Sequence, residues 1–84
     1  MATIRERLEE LRANPKGWRC REMIAILDAI GAQRRPKPGS DHVYTYPGVY
    51  PLTLPCHRPT DVLVHYAVRQ AIQFIEQVLE QRGE

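Results

Sequence analysis

The sequence has few cysteines and no long apolar run. Its two cysteines, Cys20 and Cys56, lie far apart and form neither a CxxC motif nor another metal-ligand spacing, so we expect no structural disulfide and no zinc site. No segment approaches the roughly 20 apolar residues that cross a bilayer, and no N-terminal run has the length of a signal peptide. The sequence therefore predicts a cytoplasmic protein with reduced thiols and no membrane partner.

Neither sign of charge dominates the chain. Twelve Lys and Arg against ten Asp and Glu give a formal net charge of +2, which by itself does not indicate nucleic-acid binding. Positive charge is concentrated in the middle of the sequence, at Arg34, Arg35, Lys37 and Arg58. Such a local excess attracts a phosphate backbone, but a solvated loop kept basic for solubility gives the same pattern. Both interpretations stay open at this point.

The chain is long enough for one small domain. With 84 residues, of which 43% are hydrophobic, we expect a single domain over residues 1–84. A domain of this size buries only about 60–65% of the surface that its unfolded chain exposes, so its stability is marginal. A partner subunit would add to it, and the sequence leaves open a homo-oligomer or a hetero-oligomer.

Helical periodicity is found at both ends of the chain. Residues 3–13 form a short amphipathic helix that ends at Asn14-Pro15, and residues 21–30 form a second helix with Gly31 just past its end. A last helix runs to about Gln81, and it starts either at Thr60 or nearer His65.

The middle of the chain has the alternation of a β-sheet. Residues 42–46 and 49–54 flank Pro47-Gly48 as a hairpin, and residues 32–35 supply a third strand. Pro51 indicates that its strand lies at an edge of the sheet or carries a bulge. The order α-α-β-β-β-α predicts an α+β fold with a three-stranded antiparallel sheet packed on helices.

A symmetric hairpin around Pro47-Gly48 fixes which side chains share a face. It pairs His42 with Thr53, so the helix-facing side carries Val43, Thr45, Tyr50, Leu52 and Leu54. The open side carries His42, Tyr44, Tyr46, Val49, Pro51 and Thr53. With the helical periodicity, this register predicts a core that includes Leu27, Ile30, Val43, Leu52, Leu54, Ile72 and Ile75.

The residues expected on the open face lead us to predict an RNA-cleavage site there. Histidine titrates near neutral pH, so His42 is our candidate for the catalytic residue that moves a proton when the RNA 2′-hydroxyl attacks its own phosphate. That reaction requires no metal and no other cofactor. The candidate substrate-binding residues include a cation, a hydroxyl, backbone N–H groups and an aromatic ring: Arg35, Lys37, Gly39, Ser40 and Tyr44. His57 falls about 14 Å from His42 in this register, so the two do not form an acid–base pair.

An ordered set of short motifs resembles the HicA family of toxin ribonucleases. The motifs are Arg35, Gly39-Ser40, His42, Pro55-Cys56-His57, and Arg69 with Ile72. None is specific by itself, but their order in a chain of this size is moderately specific. The resemblance covers roughly residues 18–79.

The resemblance implies a fold and an activity. Members fold like a double-stranded-RNA-binding domain, α-β-β-β-α, which maps here onto residues 18–82 and makes residues 1–14 an additional N-terminal helix. They cleave mRNA with the histidine that follows the Gly-Ser turn, here His42, and a HicB antitoxin neutralises them. Asp41 departs from what the chemistry favours, because it adds negative charge where a phosphate approaches.

Two other functions fit the same residues. One is a non-catalytic RNA-binding module of the same fold, which predicts binding without cleavage. The other is an adaptor whose N-terminal helix docks a partner protein, which predicts neither binding nor cleavage of RNA.

Overall fold

The structure is a computed structural model that describes residues 3–36 and 41–83. It contains, in chain order, α1 (Ile4–Ala13), α2 (Cys20–Ala29), β1 (Gln33–Pro36), β2 (Asp41–Tyr46), β3 (Val49–Pro55) and α3 (His65–Gln81). The strands form one antiparallel sheet in the order β1-β2-β3, which confirms the α+β class and the extra first helix. Within the described residues, no helix is both long and apolar enough to span a membrane.

Side chains and turns set the helix ends much as the sequence indicates. The Thr3 hydroxyl accepts a hydrogen bond from the Glu6 N–H at 3.1 Å and caps α1. The Glu22 carboxylate accepts the Arg19 N–H at 2.9 Å and fixes the start of α2. Gly31 has φ +86°, the left-handed conformation that closes a helix without steric cost. Of the two predicted starts for α3, the later one, at His65, is correct.

The hairpin between β2 and β3 is not symmetric. Tyr46 pairs with Val49 at the turn as expected, but Tyr44 pairs with Leu52, and further along His42 pairs with Leu54. Two residues of β3, Tyr50 and Pro51, therefore lie opposite one residue of β2, which is a β-bulge. β3 is also an edge strand, so Pro51 lies both in a bulge and at an edge of the sheet, the two positions that its presence in a strand suggested.

The bulge shifts the register by one residue and reverses the faces of β2. Tyr44 is 0% exposed and packs towards the helices beside Leu52 and Leu54, while Val43 pairs with Thr53 on the other side. The predictions that Val43 lies in the core and that Tyr44 lies on the open face are therefore wrong. Tyr50, which we expected to face the helices, is 84% exposed.

The rest of the predicted core is largely confirmed. The residues that are buried as predicted are Leu27, Ile30, Leu52, Leu54 and Ile75. Ile72 is only partly buried and packs against this cluster. The first helix contributes too, because Leu8 and Leu11 are buried and an Arg12–Glu76 ion pair joins α1 to α3.

Cys20 and Cys56 form a disulfide with a Cα–Cα distance of 6.0 Å, and both residues are buried. The expectation of reduced thiols is therefore wrong, and the expectation of a cytoplasmic location loses the support that it took from them. Sequence spacing missed this bond because the two cysteines meet only through the tertiary fold. Next to it, backbone hydrogen bonds from Leu63 to Trp18 (2.8 Å) and from Cys20 to Asp61 (2.9 Å) join the segment before α3 to the start of α2.

The observed register makes a prediction about stability. Leu54→Ala should lower the free energy of unfolding by about 2–5 kcal/mol, because it opens a cavity beneath the helices. Val43→Ala, on the neighbouring strand but facing outward, should cost at most about 1 kcal/mol. Urea unfolding of both variants tests this, and a larger loss for Val43→Ala would contradict the register.

The disulfide should contribute measurably to stability. Replacing both cysteines by alanine should lower the free energy of unfolding by about 2–4 kcal/mol, because the unfolded chain is then no longer closed into a loop and regains conformational entropy. Unfolding with and without a dithiol reductant measures it. Reduction should weaken the wild-type protein by a similar amount and leave the double variant unchanged, whereas an insensitive wild type would show that the bond does not form.

Candidate nucleic-acid site

His42 lies on the central strand of the sheet, between two neighbours. It is the second residue of β2, pairs with Pro36 of β1 on one side and with Leu54 of β3 on the other, and is partly buried. Three of the predicted substrate-binding residues, Lys37, Gly39 and Ser40, lie outside the described residues. The backbone position of His42 is set by the pairing of β2 with β1 and β3.

The strand register decides which charged side chains share a face with His42. Cross-strand partners in an antiparallel sheet project to the same side, and neighbours along a strand project to opposite sides. Arg34 pairs with Tyr44 and so shares the helix-facing side with His42, two residues away on β2. Arg35 pairs with Val43 and belongs to the opposite side. The fold thus separates His42 from the arginine that sequence reasoning selected.

Tyr44 is not available to a substrate in this structure. Its side chain is fully buried, and its hydroxyl has no hydrogen-bond partner among the described residues. Burial raises the pKa of Tyr44, the nearby Asp28 carboxylate raises it further, and the Arg34 guanidinium opposes both. The prediction that Tyr44 contacts RNA from an open face is therefore wrong. The ring instead packs in the core, on the same side of the sheet as His42.

The exposed arginines of β1 keep their charge available. Arg34 and Arg35 form no ion pair with any carboxylate that the structure describes, although both are exposed. Two of the three arginines of α1 differ, because Arg7 pairs with Glu10 and Arg12 pairs with Glu9. Net positive potential is therefore stronger at the β1 edge than along α1, and an edge of this kind attracts a polyanion.

The remaining histidines lie away from this edge. His57 follows β3 in the exposed segment that leads to α3, and His65 is the exposed first residue of that helix. No cluster of three or more His, Cys, Asp or Glu side chains with metal-binding geometry occurs among the residues described.

A groove between α1 and α2 is a feature that the sequence did not indicate. It has a volume of about 490 Å³ and is lined by Ile4, Trp18, Ile26 and neighbouring residues of the two helices. The Trp18 indole N–H donates to the Asn14 carbonyl at 2.6 Å, which holds the ring at one end of this groove. Its lining belongs to the helices and to Trp18, so it is distinct from the face of the sheet that carries His42.

Comparison with known proteins leaves the family open: no protein-family model, no curated protein and no solved structure matches this chain.

The unpaired Tyr44 hydroxyl predicts the behaviour of Tyr44→Phe. Near neutral pH the variant should be as stable as the wild type or about 1 kcal/mol more stable, because a buried unsatisfied polar group is removed. Since the folded state raises the pKa of Tyr44 above the ordinary 10.0, the wild type binds an extra proton when folded and loses stability as the pH rises past 10.0. Tyr44→Phe should lose that part of the alkaline destabilisation.

Urea unfolding at neutral pH and above pH 10.0 measures both effects. Tyr50→Phe is the matched control, because it removes the same hydroxyl from a ring that is 84% exposed. A large loss of stability in Tyr44→Phe at neutral pH would contradict the assignment, because it would mean that the hydroxyl has a partner.

Proposed function

We propose that this chain is an endoribonuclease that cleaves mRNA without a metal ion, with His42 as its catalytic residue. The observation that carries the proposal is the site of that histidine: a partly buried imidazole held between two neighbouring strands, beside an edge whose arginines are not neutralised. The ordered motifs that resemble the HicA family support the same activity. The edge supplies electrostatic attraction for RNA, and the imidazole of His42 supplies a proton acceptor.

The chemistry is an internal displacement. The ribose 2′-oxygen attacks the adjacent phosphorus while His42 accepts the 2′-hydroxyl proton; the bond from phosphorus to the 5′-oxygen breaks, and that oxygen leaves with a proton from solvent. The products are a 2′,3′-cyclic phosphate and a free 5′-hydroxyl. Because the nucleophile is part of the substrate, the protein needs to position the phosphate, accept a proton and stabilise negative charge.

Partial burial suits a catalytic histidine. Pairing on both sides of β2 restricts the backbone at His42, so the side of the sheet from which its side chain projects is fixed before RNA arrives. Its remaining exposure leaves a route for the substrate. A histidine on a mobile loop would have to pay this ordering cost on binding.

The partner in this proposal is an antitoxin of the HicB type. It rests on the resemblance, in which the antitoxin covers the cleavage site, and it makes a toxin–antitoxin hetero-oligomer the resting form. Since mRNA is a cytoplasmic substrate, the proposal also implies activity in the cytoplasm. Cleavage should therefore be assayed with the Cys20–Cys56 disulfide both intact and reduced.

A second candidate is an RNA-binding module that does not cleave. The observation that favours it is the face of His42, which lies on the side of the sheet that packs against helices rather than on the open side. In that case the arginines of β1 hold RNA, and His42 serves only in packing.

The decisive prediction concerns His42→Ala. Loss of the acid–base group should slow RNA cleavage by about 10²–10⁴-fold, while RNA binding persists. His42→Gln, which keeps a polar side chain of similar reach, should be equally impaired and guards against a folding defect of the alanine variant. His65→Ala, which removes an exposed histidine at the start of α3, is the matched control and should cleave normally.

Cleavage of a purified RNA in the presence of a chelator measures these effects, after circular dichroism has shown that each variant folds. Undiminished cleavage by a folded His42→Gln protein would exclude the mechanism. Wild-type protein that binds RNA but never cuts it would favour the binding module, and a requirement for a divalent ion would replace the histidine scheme with a metal-assisted one.

A further inference from the structure

β1 presents two adjacent arginines to opposite sides of the sheet. Arg34 lies across from Tyr44 and Arg35 lies across from Val43, so the first shares its side with His42 and the second does not. The two side chains have the same charge, are both exposed and belong to the same strand. They differ in the face of the sheet from which they project, so a variant of one is a control for the same variant of the other.

Arg34 lies within reach of a phosphate beside His42. Its cross-strand partner Tyr44 is two residues from His42 along β2, which makes Arg34 and His42 diagonal neighbours on one face, about 7–8 Å apart at the backbone. A charge-assisted hydrogen bond from Arg34 extends about 2.8 Å, so a phosphate held by Arg34 brings its neighbouring ribose 2′-hydroxyl towards His42. Arg35 projects away from this space.

Arg34 lies at the exposed edge of the sheet. β1 is an edge strand, so Arg34 is exposed while Tyr44, one strand further in, is fully buried. The guanidinium lies near the Tyr44 hydroxyl, as does the Asp28 carboxylate of α2, but no ion pair joins Arg34 to Asp28. The positive charge of Arg34 is therefore not neutralised by Asp28 and remains available to an anion.

We infer that Arg34 is the side chain that binds the scissile phosphate of RNA beside His42, and that Arg35 is not. The inference rests on the proposed function and specifies its substrate contact. A guanidinium at this position holds two phosphate oxygens at once and stabilises the charge that develops as the 2′-oxygen attacks. Along the sequence the two arginines look equivalent; the strand pairing distinguishes them.

The test compares Arg34→Ala with Arg35→Ala, and Arg34→Lys serves as the charge-conserving variant. Binding is measured on a 2′-O-methyl RNA, which cannot be cleaved, over a series of salt concentrations. Arg34→Ala should reduce the slope of log affinity against log salt by about 0.7, the contribution of one phosphate contact on a single strand. Arg34→Lys should keep most of that slope. Arg35→Ala, which removes charge from the same edge but from the other face of the sheet, should reduce the slope by less than Arg34→Ala does.

Cleavage of unmodified RNA gives the second readout. Arg34→Ala should lower kcat by about 10²–10³-fold, and Arg34→Lys should recover only part of this loss because an ammonium cannot hold two oxygens in a fixed plane. Arg35→Ala should lower kcat by a smaller factor than Arg34→Ala does, because Arg35 projects from the opposite face to His42. Urea unfolding of each variant shows whether a loss reflects stability instead.

The outcomes separate this inference from the proposed function. If the wild type binds the methylated RNA but does not cut unmodified RNA, the nuclease proposal fails, and the salt slopes still decide the role of Arg34. If the wild type cuts RNA and Arg35→Ala matches or exceeds the losses of Arg34→Ala, the function stands and the inference is overturned. An Arg34→Ala protein that is less stable but has an unchanged slope also overturns it, and a wild type that neither binds nor cuts RNA overturns both.

Discussion

The extra residue in β3 determines which side chains the helices cover. Leu52 and Leu54 face the helices in either hairpin register, because β3 has no other pair of large aliphatic residues to bury. β2 is different, since Val43 and Tyr44 can both pack in a core. The bulge at Tyr50 and Pro51 settles that choice in favour of Tyr44. The assignment of His42 to the packed side follows from this offset, whereas the pairing of β1 with β2 decides that Arg34 rather than Arg35 shares that side.

The sequence predicted the elements well and their relative placement less well. Apolar periodicity and Gly31 suffice for α2, and alternating residues around Pro47-Gly48 suffice for the hairpin, because both signals are local. The face of β2 is not a local property: it depends on how many residues of β3 lie opposite Thr45. Pro51 was the one signal of a bulge in the sequence. A proline does not indicate whether the pairing register changes before it or after it. His42 and Tyr44 were therefore assigned to the wrong side together.

The sequence analysis missed the disulfide for a related reason. Cys20 is the first residue of α2 and Cys56 directly follows β3, so the bond joins elements that are 36 residues apart in sequence. It fixes the end of β3 against the start of α2, where backbone hydrogen bonds also attach the segment that leads to α3. Because Leu54, two residues before Cys56, is the partner of His42, the same attachment that stabilises the fold also limits movement of the candidate site.

In the proposed nuclease, a histidine on the packed side of the sheet changes how RNA must approach it. The open face that the sequence suggested would let a strand of RNA lie flat across β1, β2 and β3, with bases against Tyr44. With Tyr44 buried and His42 only partly exposed, the proposal has RNA reach His42 from the β1 edge, where the sheet ends and Arg34 is exposed. An approach from an edge brings the sugar-phosphate backbone to the histidine and leaves the bases outside the site. Such a site binds through charge and geometry, which favours cleavage with little dependence on base identity.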